Sequence, residues 1–293
     1  MLKTLLLWAL LIVTAHAWAN PEAAARLQAK YLALESQLKQ NQFNRPLVLT
    51  SVETPERVSG EIYAVVNHPF SAVSTGLSSP DSWCDLMSLP MNTKYCRAEA
   101  ANGGAVLKVN VGRKATQRLE DAPRIEFKYL LAQTTASYLE VRLNADTGPM
   151  GTSDYKITFE AMPLAVSGAS AKTFIHMSYS YSANLAARLA MQTYLATLGR
   201  NKVGFTRLDQ QSNGPPRYID GVRGVVERNT MRYYLAIDSY LDAASLPPPA
   251  ALEKRLQSWF TASELYPLQL HELERSEYVA MKREEYLRQQ TPE

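Results

Sequence analysis

Three histidines are the side chains of this sequence best suited to proton transfer, because imidazole changes its charge near neutral pH. They are His68, His176 and His271, and no two of them are neighbours along the chain; the fourth histidine, His16, belongs to the N-terminal segment 1–19, which is interpreted as a signal peptide. No serine or cysteine stands in a G-x-S-x-G pattern, the strand-to-helix turn that exposes the nucleophile of many hydrolases. The sequence therefore offers candidate acids and bases but no motif for nucleophilic catalysis.

His176 lies in an alternating segment that predicts a strand over residues 173–181. Alternation divides residues 174–181 into two faces, one with Phe174, His176, Ser178 and Ser180, the other with Ile175, Met177, Tyr179 and Tyr181. If the first face borders a cavity, His176 brings a general acid or base into it. The alternative is a hydrogen-bonded structural histidine. His68, which precedes Pro69 at the end of another strand, is interpreted as a capping or turn residue.

A second cluster is basic and precedes or begins a predicted helix. Between Arg200 and Tyr234 there are seven basic residues and three acidic ones, a local net charge of +4. Arg223, Arg228 and Arg232 are the candidates for a patch that meets lipid phosphates or an acidic partner. The alternative is a salt-bridged helix surface, because Glu227 follows Arg223 by one turn.

The two cysteines, Cys84 and Cys96, are twelve positions apart. In an exported chain such a pair predicts a disulfide, which stabilises by about 3 kcal/mol on the chain-entropy model. Two reduced, buried thiols are the alternative. No histidine or cysteine recurs at metal-ligand spacing and no glycine-rich phosphate loop is present, so the sequence predicts no metal site and no cofactor.

Residues 1–19 read as a secretory signal peptide. A positive Met1-Leu2-Lys3 end precedes an apolar run, and small residues around position 17 suit a signal peptidase. The run is short for a membrane anchor, which is the alternative. The expected location is the periplasm, where disulfides form. A formal net charge of +3 without a recognisable binding motif favours no nucleic-acid partner.

Periodicity predicts an α+β chain with an antiparallel sheet, because no connection within residues 94–181 is long enough for a crossover helix. A helix over residues 21–41 comes first, followed by a strand over 58–66 and short helices at 70–77 and from Ser79. Strands are expected near residues 94–98, 106–113, 125–132, 137–143, 154–162 and 173–181. A long helix is expected over 183–198, then three more over 221–244, 249–264 and 266–290.

This order resembles the START-like helix-grip superfamily of lipid-transfer domains and polyketide cyclases. The resemblance covers residues 58–198, and it is carried by three segments: 60–70 (GEIYAVVNHPF), 79–83 (SPDSW) and 173–198, the closing strand and helix. It implies a sheet that grips a long helix, with a cavity for an apolar ligand between them. The expected division is a signal peptide at 1–19, an N-terminal helix at 20–46, a START-like domain at 47–199 and a helical extension at 200–293.

The leading functional prediction is an exported protein that binds a lipid or other apolar small molecule in the helix-grip cavity. The expected ligand-binding residues are Tyr63, Phe174, His176, Ser178, Tyr179 and Tyr181. A cyclase- or dehydratase-like enzyme, with His176 and a nearby tyrosine as acid and base, is the second possibility. The third is an interaction protein that binds an envelope partner or a membrane surface through its C-terminal helices.

Overall fold

The computed structural model describes residues 21–102, 104–164, 171–197, 202–208 and 214–290, so the predicted signal peptide lies outside the described residues. The helices are α1 (Pro21–Lys39), α2 (Phe70–Leu77), α3 (Pro80–Met87), α4 (Leu185–Ala196), α5 (Gly221–Asp242), α6 (Pro248–Ser263), α7 (Pro267–Leu270) and α8 (Arg275–Gln289). The strands are β1 (Leu47–Glu53), β2 (Arg57–Val66), β3 (Thr93–Ala101), β4 (Gly104–Val111), β5 (Arg124–Thr134), β6 (Leu139–Thr147), β7 (Thr152–Leu164) and β8 (Lys172–Ala183). Among these helices, none is both long and apolar enough to cross a bilayer.

The strands form one antiparallel sheet in the order β1-β2-β8-β7-β6-β5-β4-β3. Strands β3 to β8 follow one another as neighbours, and β8 returns to pair with β2, so that Tyr63 lies opposite His176. A strand, two short helices and six further strands that close on the first are the helix-grip arrangement. The predicted α+β fold class, with its antiparallel sheet, is therefore confirmed.

Of the two short helices between β2 and β3, α2 spans the predicted residues and α3 begins where the sequence predicts. Ser79 caps α3 by accepting a hydrogen bond from the backbone N–H of Asp81, and Pro80 occupies the first helical turn. The indole N–H of Trp83 donates a 2.9 Å hydrogen bond to the Leu77 carbonyl and ties α3 to α2. A disulfide joins Cys84 of α3 to Cys96 of β3, as predicted.

The long helix that packs on the sheet is not the one the sequence indicates. The helix at residues 183–198 exists as α4, but Leu185 and Leu189 of its expected apolar face are 74% and 55% exposed. Helix α5 instead packs against β1, β2 and β8, and its central residues are almost all buried. Both helices carry apolar residues at helical spacing, so local pattern alone does not decide between them.

Each face of the sheet has its own hydrophobic cluster. We call the face against α5 the inner face. Its buried side chains, which come from every strand, form one hydrophobic core with residues of helices α2, α3, α5, α6 and α8. The outer face is covered near its β1 edge by α1, whose Leu27, Leu34 and Leu38 are buried there. The inner core thus includes residues from both the predicted START-like domain and the predicted extension.

The predicted helix over 266–290 is interrupted. His271 and Glu274 have extended backbone angles, which separate α7 from α8. Between them the carboxylate of Glu272 turns inward, where it accepts from Arg232 at 2.9 Å and from Lys114 at 2.5 Å. This tertiary contact, which sequence periodicity does not reveal, accompanies the break.

Candidate functional site

The predicted ligand-binding residues lie on opposite faces of the sheet. Phe174 and Tyr63 belong to the outer cluster under α1, and strand alternation places His176 and Ser178 on that same face. Tyr179 and Tyr181 belong to the inner core. The expected single cavity lined by all six residues is therefore wrong, because a strand sends successive side chains to opposite sides.

Four tyrosines cluster on the inner face near α5. Tyr155 stacks on Tyr181 with ring centroids 5.5 Å apart, and Tyr179 contacts both rings. Tyr233 of α5 lies 5.8 Å from Tyr179, centroid to centroid. These rings fill much of the space between sheet and helix where the helix-grip resemblance implies a cavity.

One hydroxyl group of this cluster is hydrogen-bonded, and the other three have no such bond among the described residues. Tyr155 donates a 2.8 Å hydrogen bond to Oγ1 of Thr152. The hydroxyls of Tyr179, Tyr181 and Tyr233 make no hydrogen bond within the part of the chain that the structure describes. Burial raises the pKa of Tyr181 and Tyr233 to about 12, so both phenols are neutral donors at physiological pH.

A cleft of about 430 Å³ opens beside the tyrosine cluster, between the β1–β2 turn, the end of β8, α4 and the start of α5. Its apolar wall includes Val58, Tyr181, Ala187, Met191 and Val222. Its rim carries both signs of charge, from Glu53, Glu56, Arg57 and Arg188. An apolar wall with a few polar groups at the edge is typical of small-molecule sites.

His176 lies in a different place, a groove of about 510 Å³ on the outer face beside α1. Its Nδ1 is 2.7 Å from Oε2 of Glu160, and the Tyr138 hydroxyl donates to Oε1 of the same carboxylate. Burial alone would raise the pKa of Glu160, but the hydrogen bonds of His176 and Tyr138 outweigh burial and hold that pKa below its usual value. The Glu160 carboxylate thus fixes the orientation of the His176 ring.

Glu160 contacts only one of the two ring nitrogens of His176. When Nδ1 donates to Glu160, Nε2 of the neutral ring carries a lone pair. Nε2 is buried and has no hydrogen-bond partner among the described residues; Oε2 of Glu61, the acidic oxygen that approaches it, is 4.0 Å away. The ring is held flat against Tyr63, with centroids 4.3 Å apart and planes 8° from parallel.

The rest of the groove wall carries both positively and negatively charged side chains. Lys30 of α1 lies 4.9 Å above the centre of the Tyr63 ring. Arg142 forms a 2.5 Å ion pair with Glu140, and Arg26 completes the wall on the α1 side. The groove therefore suits a polar compound, whereas the cleft beside α4 suits an apolar one.

The structure contradicts the predicted basic patch. Arg228 and Arg232 are only 2% and 6% exposed. Arg228 donates to the Val203 carbonyl at 3.0 Å, and Arg232 binds Glu272. Both face the core because α5 is the helix that the sheet and its neighbouring helices enclose, so they stabilise the fold and present no charge to a partner.

The third member, Arg223, is half-buried and belongs to a different contact. Its Nε lies 3.1 Å from the hydroxyl of Ser51, which in turn donates to Glu227 at 2.6 Å. Glu227 also accepts from the backbone N–H groups of Phe205 and Thr206. The proposed i,i+4 pair is thus replaced by a buried carboxylate that fixes the segment before α5.

His68 is more than a turn residue. Its Nε2 lies 3.3 Å from Oδ1 of Asp242 and 3.7 Å from Oδ1 of Asp238, both on α5. Hydrogen bonds to Asp238 and Asp242 raise the pKa of His68 to about 9. Sequence reasoning missed this cluster and the Glu160 partner of His176, since the residues meet only through strand pairing and helix packing.

No family model matches this chain, and no curated protein matches it. Among solved structures it is similar to a truncated norcoclaurine synthase from Thalictrum flavum, at 15% identity over 50% of this chain and 91% of that one, with a TM-score of 0.33. It is also similar to Ara h 8.0201, at 13% identity over 64% of this chain and 99% of that one, with a TM-score of 0.36.

A third similarity is to the Zhui aromatase/cyclase from Streptomyces sp. R1128, at 11% identity over 71% of this chain and 94% of that one, with a TM-score of 0.31. The Streptomyces protein is an aromatase/cyclase and the Thalictrum protein is a synthase, so both of these similar structures belong to enzymes. The helix-grip assignment of the present chain rests on its own order of strands and helices.

Proposed function

We propose that this protein is an exported binding protein for an apolar small molecule or lipid, held in the cleft between α4 and the open end of the sheet. The observation that carries the proposal is the apolar wall of this cleft, which is continuous with the tyrosine cluster through Tyr181. Export to the periplasm is part of the proposal and is supported by the sequence of residues 1–19.

The tyrosine hydroxyls suggest which apolar molecules suit the site. The neutral phenol of Tyr181, which lines the cleft, can donate to a carbonyl, carboxyl or hydroxyl group at one end of a ligand. The rings themselves offer flat apolar contact, and a neutral donor in an apolar site favours a partner that satisfies it. An apolar body with one polar end is the ligand class that this combination favours.

The first test identifies a bound molecule directly. Protein purified from the periplasm is measured by native mass spectrometry, and its solvent extract is analysed for lipids and other apolar compounds. A co-purifying apolar molecule is the expected result. The same spectra give the mass of the mature chain, which agrees with loss of the signal peptide if export is correct.

The second test uses the apolar fluorophore 1-N-phenylnaphthylamine and two variants of one helix. Ala187 is buried and lines the cleft, whereas Ala190 is exposed on the same helix and lies outside it. Ala187→Trp fills the cleft and should weaken binding by at least about tenfold, an energy of about 1.4 kcal/mol. Ala190→Trp serves as the matched control. Equal binding by both variants, or no binding by the wild type, would overturn the proposal.

A second function is favoured by one specific observation, the buried Nε2 of His176 oriented through Nδ1 by Glu160. A base fixed by a carboxylate is suited to abstract a proton next to a carbonyl, as dehydration or cyclisation requires. Tyr138, whose hydroxyl binds the same carboxylate, completes the network.

The enzyme reading is tested separately, since the groove and the cleft lie on opposite faces. Turnover of a panel of β-hydroxy ketones and esters would be measured for the wild type, His176→Ala, Glu160→Gln and the control His271→Ala. Loss of turnover in the first two variants, with fluorophore binding unchanged, supports catalysis at His176. Unchanged turnover in His176→Ala, or no turnover by the wild type, would remove this reading.

A further inference from the structure

We propose that His68, Asp238 and Asp242 form a binding site for a divalent transition-metal ion, with zinc as the best fit. The three ligand atoms, one imidazole nitrogen and two carboxylate oxygens, lie within 4.8 Å of one another. This site is separate from the cleft beside α4 and from the His176 groove.

The distances between the ligand atoms suit a single ion. Nε2 of His68 is 3.3 Å from Oδ1 of Asp242 and 3.7 Å from Oδ1 of Asp238. In a tetrahedral zinc site, ligand atoms at about 2.0–2.2 Å from the metal are about 3.3–3.6 Å apart. Small side-chain rotations therefore bring all three atoms into coordinating range.

The fold brings the three side chains together from two segments, the end of β2 and helix α5. His68 follows β2, and its backbone carbonyl accepts a 2.7 Å hydrogen bond from Oγ1 of Thr173. Asp238 and Asp242 are one turn apart on α5, so they lie on the same side of that helix. A metal here would join the end of β2 to the C-terminal half of the helix that the sheet encloses.

Arg45 supports the geometry and moderates the charge. Its Nη1 donates to Oδ2 of Asp238 at 2.8 Å, which orients the carboxylate and leaves Oδ1 for the ion. Hydrogen bonds of this kind to ligating carboxylates are common around metals. When the ion takes the place of a proton on the imidazole, two carboxylates and one guanidinium leave the ligand set with a net charge of −1, which suits a divalent cation.

The site is accessible and has room for a water ligand. The side chain of Asp242 is 45% exposed, whereas those of His68 and Asp238 are 16% and 22% exposed. A cleft of about 310 Å³ borders both aspartates and opens to solvent. Two oxygens and one imidazole favour zinc over calcium or magnesium, which prefer ligand sets made of oxygen alone.

Isothermal titration with Zn²⁺, carried out on full-length, untagged protein freed of metal by chelation, tests the proposal. Binding of one ion per chain is expected, with a matching rise in the thermal unfolding temperature. Asp242→Asn should weaken this binding by at least about tenfold, because it removes a charged ligand at the exposed edge of the site. His271→Gln is the control, since His271 also contacts a carboxylate, that of Glu264 at 3.0 Å.

Two further measurements keep the result interpretable. Circular dichroism of metal-free Asp242→Asn shows whether the variant folds, and the visible absorption of bound Co²⁺ reports coordination by nitrogen and oxygen. His68→Gln should alter that spectrum. The proposal fails if Zn²⁺ does not bind the wild type, if it binds Asp242→Asn equally well, or if Ca²⁺ and Mg²⁺ bind as tightly.

Discussion

Gly60 of strand β2 lies so close to Thr230 of helix α5 that a Cβ atom at Gly60 would be 2.3 Å from the threonine Oγ1. That hydroxyl donates a 2.8 Å hydrogen bond to the Val226 carbonyl, so it cannot turn away without losing a buried contact. The missing side chain at position 60 is what allows the helix to lie directly on the strand.

Gly60→Ala is therefore expected to push α5 away from β2 and to lower the free energy of unfolding by about 1–3 kcal/mol. Urea denaturation measures the loss. Thr230→Ala removes the conflicting atom, so Gly60→Ala should cost less in that background. Ser59→Ala, on the opposite face of the same strand, should change little. If the losses of unfolding free energy caused by Gly60→Ala and Thr230→Ala simply add in the double variant, the two residues are not in contact.

The disulfide between Cys84 and Cys96 is expected to stabilise the protein by about 2–4 kcal/mol. It joins α3 to β3 across a short loop, and both half-cystines are buried. Thermal unfolding with and without reductant measures this contribution. The double variant Cys84→Ala, Cys96→Ala should unfold at the same temperature in both conditions, which serves as the control. If full reduction leaves the unfolding temperature of the wild type unchanged, the prediction is wrong.

Glu285 holds two buried ammonium groups, and its replacement should be severe. Its carboxylate accepts from Lys94 at 2.9 Å and from Lys282 at 2.7 Å. Glu285→Gln leaves both lysines without a counter-charge and should cost about 3–5 kcal/mol, because unpaired buried charges are strongly destabilising. The exposed neighbour provides the control, since Glu284→Gln should be nearly neutral by the same denaturation measurement. Comparable losses in the two variants would mean that the buried cluster contributes little.

Lys282 gives the stability a predictable pH dependence. Burial lowers its pKa to about 8; Glu285 opposes this shift and Lys94 adds to it. Between about 8 and the ordinary lysine value of about 10.4, the unfolded chain binds a proton that the folded chain does not, so this contribution to stability rises with pH. This contribution of Lys282 to stability is fully present above the ordinary lysine pKa of about 10.4, and it is lost as the pH falls through the folded-state pKa of about 8.

Lys282→Met isolates this contribution. The free energy of unfolding of wild type relative to the variant, measured by urea denaturation across that pH window, should increase toward alkaline pH. Other groups titrate in both proteins and cancel in the difference, provided that their sites are unchanged. A constant difference would show that the Lys282 ammonium has the same proton affinity in the folded and unfolded chain.

Most of the local structure of this protein follows from short-range patterns in its sequence. Alternation in residues 173–181, the Ser79 cap and the spacing of Cys84 and Cys96 predict strand, helix start and disulfide correctly. These features depend on side-chain period, backbone hydrogen bonds and loop length, all of which act over a few residues. The helix-grip order follows from the succession of such elements.

Packing between distant segments determines which helix lies on the sheet, which residues share a site and which charges are buried. Residues 183–198 and 221–244 are both apolar at helical spacing, yet α5 takes the inner face, where Gly60 admits it. His176 acquires Glu160 through strand pairing, and Arg228 becomes buried because its helix does. Contacts between distant segments depend on packing and burial, which local pattern does not encode.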